Sequence, residues 1–113
     1  MNDLEFVQED FKEKVGSFIL AVQTMKIVDY KVAQDVVCQS KLLARLLKDK
    51  ELVSKSILNE LYTAARMLRT EAPFIKGHSD ALVEMAEQLE LTFYLILRGE
   101  CHDDRVSGVP RVI

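Results

Sequence analysis

The sequence contains few of the residues that most often reveal enzyme chemistry. It has only two histidines, two cysteines and four glycines in 113 residues. Two histidines offer no persuasive Ser-His-Asp or Cys-His arrangement, and the scattered glycines form no phosphate-binding loop. Cys38 and Cys101 have no CxxC spacing and are too few for a disulfide scaffold, so we expect reduced thiols, with Cys38 buried. These absences favour a binding protein without catalytic residues or cofactors.

Long apolar runs and an excess of positive charge are also missing. No apolar run reaches the eighteen or more residues typical of a membrane span. The acidic start MNDLEFVQEDFKEK lacks the basic beginning and apolar stretch of a signal peptide, so we expect a cytoplasmic protein that does not enter a membrane. Its 18 acidic and 15 basic side chains give a net charge of -3. Nucleic-acid binders usually gather a basic excess on one face, so we expect no nucleic-acid partner and favour one with a basic surface.

Four segments carry apolar residues at the three- and four-residue steps of a helix. Short links between the first three favour antiparallel neighbours. We therefore predict one all-α domain over residues 1–113, an antiparallel four-helix bundle with an irregular tail over 99–113. The predicted helices are 3–25, 29–48, 54 or 56 to 71, and 79 to 97 or 98, with N-terminal caps at Asn2 or Asp3, Asp29, Ser54 or Ser56, and Ser79. Gly99 is the predicted stop of the last helix.

The apolar positions of the first three helices predict which side of each faces the core. The predicted inner residues are Phe11, Val15, Phe18, Val22 and Met25 in the first helix, Val32, Val36, Leu43 and Leu47 in the second, and Ile57, Leu61, Ala65 and Leu68 in the third.

The last predicted helix has two unlike halves on its outer side. At about 100° per residue, its core side carries Leu82, Met85, Ala86, Leu89, Phe93, Ile96 and Leu97. The opposite side begins with Asp80, Glu84 and Glu87 and continues with Leu91 and Leu95, beside Tyr94. Two interpretations of the apolar half stay open. Either the tail covers it through Val106, Val109, Val112 and Ile113, or it is an exposed docking surface next to the acids. The unbroken helical period excludes a strand at TFYLIL, despite its β-prone residues.

A cluster of potential metal ligands, Cys101, His102, Asp103 and Asp104, follows that helix. Contiguous side chains rarely converge on one ion, and the other histidine, His78, would lie roughly 30 Å away along the helix. We therefore interpret the cluster as a polar tail segment and expect no metal site.

A second carboxylate pattern is Glu84-x-x-Glu87 followed by Glu100-x-x-Asp103. It resembles the ExxE…ExxD pattern of all-α nucleotide pyrophosphohydrolases of the MazG-like kind, in which two helices bring four carboxylates around magnesium. Oxygen ligands of this kind do suit that ion. A single helix through residues 84–98 would, however, hold the two halves about 20 Å apart. This activity is the third alternative for the chain.

A broader similarity covers about residues 30–98. The features Tyr30-x-Val32, Gln39, the LLKDKEL run, and the helix with Leu58 and Ala65 are similar to the small helical immunity proteins that bacteria pair with type VI secretion toxins. The similarity continues through Glu71, Pro73, Ser79 and Ala81-Leu82. It implies a cytosolic protein that binds a cognate protein toxin and blocks its active site. The alternative is a homodimeric helical adaptor or regulator, in which Leu91, Tyr94 and Leu95 meet their symmetry mates.

One surface is the predicted contact with such a partner. It consists of the outer side of the last helix and the loop before it: Asp80, Glu84, Glu87, Leu91, Tyr94, Phe74, Lys76 and His78. Electrostatic complementarity at this surface would speed association and select the partner. The competing interpretations are a solvated helix face for the acids and a position beneath its own loop for Phe74.

Overall fold

A computed structural model describes residues 3–104, and this part of the chain contains four α-helices and no strand. The helices are α1 (Asp3–Met25), α2 (Tyr30–Leu46), α3 (Lys55–Glu71) and α4 (Ser79–Leu97). Short 3-10 turns follow α3 at Ala72–Phe74 and α4 at His102–Asp104. The predicted all-α four-helix bundle is confirmed. No helix among the described residues combines the length and the apolar character that crossing a bilayer requires.

The beginnings of α2 and α3 depend on side-chain caps that the sequence predicts. The Asp29 carboxylate accepts the backbone N–H groups of Lys31 and Val32, and the Ser54 hydroxyl accepts that of Ser56. Each cap satisfies amides that have no partner within the first turn of a helix.

The predicted cap of α4 is wrong by one residue. His78 is the N-cap, without a side-chain hydrogen bond, and Ser79 is already helical. The preceding turn explains the shift, because the His78 amide donates to the Ile75 carbonyl at 3.0 Å. Of the two candidates at the start of α1, Asp3 is helical and Asn2 lies outside the described residues.

Gly99 ends α4, as predicted, by adopting a left-handed backbone conformation (φ 72°). The Gly99 amide donates to the Ile96 carbonyl at 3.1 Å, and the Glu100 amide donates to the Leu95 carbonyl at 2.9 Å. This pair of bonds is the Schellman arrangement, which satisfies the last carbonyls of a helix. The Gly99 carbonyl then accepts the Asp49 amide, so the chain leaves α4 against the end of α2.

The four helices do not surround the core in chain order. α1 packs on α2 and α3, and α4 packs on α3 and α2, so α2 and α3 face each other across the bundle. The prediction that α2 and α3 are antiparallel neighbours is therefore wrong. The link over residues 47–54 is long enough to cross the end of the bundle. As a result α2 and α4 lie side by side and parallel, with Tyr30 beside His78 at one end and Lys48 beside Asp104 at the other.

Most of the predicted inner residues of α1, α2 and α3 form the core. All four in α3 are buried, and so are three of the four predicted for the second helix, where Leu47 is the C-cap of α2 and Val32 is only partly buried. In α1 the exception is Met25, which is exposed. Met25 is the last helical residue at one end of the bundle, where the neighbouring helices no longer cover it.

Candidate protein-binding surface

The outer face of α4 follows the predicted stripe for most of its length. We define this outer face as Asp80, Glu84, Glu87, Leu91 and Tyr94, which recur at steps of four and three residues and so share one side of the helix. The three acids are exposed, Tyr94 is half exposed and Leu91 is partly buried. The stripe extends about 21 Å from Asp80 to Tyr94.

Leu95, in the apolar half of the predicted stripe, is buried, with only 1% of its surface exposed. Segment 99–104 turns back on the side of α4 that faces α2, where His102 Nε2 lies 3.3 Å from Thr92 Oγ1. Thr92 is consequently buried, although the sequence did not place it in the core. The candidate covering residues Val106, Val109, Val112 and Ile113 lie outside the described residues.

Two residues that the sequence placed on the core side of α4, near its C-terminal end, are not buried. Leu97 is 58% exposed and Phe93 is only partly buried, whereas Leu82, Met85, Ala86, Leu89 and Ile96 are buried as predicted. The burial of Leu95 and Thr92 shows the cause. The buried side of the last turns is rotated toward α2 and segment 99–104.

The acids of the outer face differ from Glu90 beside them in forming no salt bridge with another described residue. Among residues 3–104 there are seven salt bridges, and none includes Asp80, Glu84 or Glu87. By contrast, Glu90 on the adjacent side of α4 accepts two hydrogen bonds from the Arg69 guanidinium, at 2.8 and 2.6 Å. These bonds lower the pKa of Glu90. Glu87 also interacts electrostatically with Arg69. The outer face therefore directs three exposed carboxylates toward solvent, of which Asp80 and Glu84 lie farther along α4 from that arginine.

Tyr94 forms the aromatic end of the outer face. Arg98 Nη1 donates to its hydroxyl oxygen at 2.9 Å, and the guanidinium carbon lies 5.3 Å from the ring centroid. A cation at this distance from the ring is attracted to its π-face. Arg98 thus holds Tyr94 at the surface with half of it exposed. Ordered aromatic side chains of this kind are common energetic anchors of protein interfaces.

The loop before α4 adds a second exposed aromatic residue. Phe74 is 70% exposed, so it is not tucked beneath its loop. Lys76 is exposed, whereas His78 is partly buried, and its Nδ1 is hydrogen-bonded to the Tyr30 hydroxyl. The structure therefore places Phe74, Lys76 and His78 at the Asp80 end of the outer face and Tyr94 at the far end.

A groove between α2 and α4, missed by the sequence analysis, runs beside the outer face. It has a volume of about 530 Å³. Small side chains, Ala33 on α2 and Ala81 on α4, leave room between the two parallel helices. We call this cleft the α2/α4 groove; its lining residues are Tyr30, Ala33, Gln34, Val37, Cys38, Lys41, Ala81, Glu84, Met85 and Gln88. Periodicity within one helix could not reveal it, because the pairing of α2 with α4 is non-local.

The two cysteines have opposite environments. Both are free thiols, as predicted, but Cys38 is exposed in the α2/α4 groove rather than buried. Cys101 is the buried one. The error at Cys38 follows from the same packing, since the groove leaves this side of α2 uncovered.

The structure does not bring the two halves of the carboxylate pattern together. Glu84 and Glu87 lie on the outer face, whereas Glu100 accepts Arg98 Nε at 3.0 Å and Asp103 accepts Arg45 Nε at 3.2 Å. No group of three or more histidine, cysteine, aspartate or glutamate side chains in residues 3–104 is placed to hold a metal ion. The cluster at residues 101–104 instead joins the chain after α4 to α2, where Lys48 Nζ donates to Asp104 Oδ1 at 2.6 Å.

No protein-family model matches the chain, and neither a curated protein nor a solved structure is significantly similar to it.

Proposed function

We propose that this protein is a cytosolic immunity protein that binds a cognate secreted bacterial toxin and blocks it by direct contact. The observation that carries the proposal is the outer face of α4. There, three exposed carboxylates that form no salt bridge with another described residue continue into the half-exposed ring of Tyr94. The resemblance of residues 30–98 to immunity proteins of type VI secretion supports the same function.

The chemistry of this face suits inhibition by contact better than catalysis. Unpaired surface acids steer a basic partner during diffusion and disfavour acidic partners. Aromatic residues such as Tyr94 and Phe74 supply contact area at low conformational cost. A toxin whose active site is lined by basic residues could contact both the acids and the Tyr94 ring on one side of α4. The inhibitor itself then needs no reactive group.

The product of a neighbouring toxin gene provides the direct test. We expect this product to stop growth when expressed alone and to be harmless when co-expressed with the protein. The purified pair should migrate as a heterodimer in size-exclusion chromatography with light scattering. The proposal is wrong if neither flanking gene encodes a product that is toxic or that forms a complex with this protein.

A matched pair of charge reversals tests the outer face. Glu84→Lys should weaken the complex about tenfold or more and lower the association rate, because it reverses one of three steering charges. Glu13→Lys makes the same change of charge at an exposed position on α1 and should leave the affinity within about twofold. Equal effects of the two variants would remove the outer face from the interface.

The second candidate is a homodimeric helical adaptor. The exposed Leu97, next to the half-exposed Tyr94, favours it because a two-fold axis could bury both side chains against their symmetry mates. Light scattering on the purified protein alone separates the two functions. A stable dimer that Tyr94→Ala dissociates would support the adaptor, whereas a monomer that binds only the toxin would support immunity.

A further inference from the structure

We draw no further inference here: the strongest candidate, the apolar α2/α4 groove between the two parallel helices, is lined by one carboxylate, Glu84, and one lysine, Lys41, so its charge favours no occupant and nothing in the structure shows what covers it.

Discussion

Ser40 Oγ lies 3.0 Å from Thr92 Oγ1, and both side chains are fully buried between α2 and α4. Each hydroxyl also lies within hydrogen-bond distance of a carbonyl of its own helix, Ser40 of Val37 and Thr92 of Gln88. One hydroxyl therefore donates to the other, which in turn donates to its own carbonyl. Buried hydroxyl groups are tolerated only with such partners. This polar contact lies where the α2/α4 groove ends and closed packing begins. We expect it to contribute to the parallel pairing of the two helices.

A double-mutant cycle measures this contact. Ser40→Ala and Thr92→Val should each lower the free energy of unfolding by about 1 kcal/mol, because each removes one side of a buried hydrogen-bonded pair. The double variant should lose less than the sum, with a coupling of about 0.5 kcal/mol or more. Urea denaturation gives all four values. Strict additivity would show that the two hydroxyls do not interact, and Thr63→Val on the exposed side of α3 should change the stability little.

The second prediction concerns the attachment of segment 99–104 to α2. Asp104 accepts Lys48 through Oδ1 and the Cys101 amide through Oδ2 at 2.9 Å. Asp104→Asn removes the charge, so we expect the segment to open more often and the alkylation of buried Cys101 to become several-fold faster. Asp103→Asn is the control, because its partner Arg45 is largely exposed and such surface pairs contribute little. Unchanged Cys101 labelling in Asp104→Asn would contradict this role, and mass spectrometry measures it.

The same attachment should weaken in acid. The hydrogen bond from Lys48, followed by that from the Cys101 amide, lowers the pKa of Asp104. A carboxyl group whose pKa is lower in the folded state stabilises the fold at any pH above its unfolded-state pKa, which is near 3.9 for aspartate. This stabilisation is lost as the pH falls through the folded-state pKa. Amide protection of residues 99–104 in hydrogen exchange, compared at matched intrinsic rates, should therefore decrease below about pH 4 in the wild type. Asp104→Asn should show no such acid-dependent decrease.

The third charge prediction concerns Glu60, whose ionised side chain should destabilise the fold, whereas that of Asp104 stabilises it. Its side chain is only 15% exposed, its Oε2 has no hydrogen-bond partner among the described residues, and Lys12 Nζ lies 3.8 Å from Oε1. Burial raises the pKa of Glu60, although Lys12 opposes the shift. Glu60→Gln should therefore increase the free energy of unfolding at pH 7 by about 0.5–1 kcal/mol. Chemical denaturation of the two proteins provides the comparison.

The pH dependence identifies the cause of that gain. Because the folded-state pKa of Glu60 is raised, the side chain is protonated below its unfolded-state pKa, near 4.3 for glutamate, and its burial then costs no charge desolvation. As the pH rises through the folded-state pKa, the side chain ionises and the free-energy penalty for burying its charge grows. The advantage of Glu60→Gln should accordingly disappear near pH 4. A gain that is constant with pH would point to packing instead of charge, and Glu13→Gln on the exposed side of α1 should give no gain.

Two glycines should respond oppositely to alanine. Gly16 is exposed within α1 and has no atom within 4 Å of an added Cβ, so Gly16→Ala should stabilise the protein by about 0.5–1 kcal/mol. Gly99 has φ 72°, and Gly99→Ala should destabilise it by about 1 kcal/mol because an L side chain disfavours that conformation. Thermal unfolding distinguishes the two. A gain in stability from both substitutions would refute the conformational role of Gly99.

Local signals account for the parts of the fold that the sequence predicted. Asp29 and Gly99 act through atoms a few residues away, so the start of α2 and the end of α4 were predictable. The apolar period of α3 was sufficient because both of its neighbours cover one continuous face. The exposure of the outer-face acids was also predictable from one helix alone, because their side of α4 packs against no other described helix.

The errors share a non-local origin. Cys38 and Leu97 are exposed because of how α2 meets α4 and segment 99–104, which lie about fifty residues further along the chain. No periodicity within α2 predicts that α4 becomes its parallel neighbour. The α2/α4 groove is therefore the part of the candidate site that only the three-dimensional arrangement reveals.

The order of the helices around the bundle also affects how the protein forms during synthesis. α2 leaves the ribosome well before α4, yet α4 is one of its two neighbours. One side of α2 therefore stays exposed to water until nearly the whole bundle has been translated. The nascent chain carries this uncovered surface through most of its production, and a chaperone that recognises apolar helices would have its longest opportunity there.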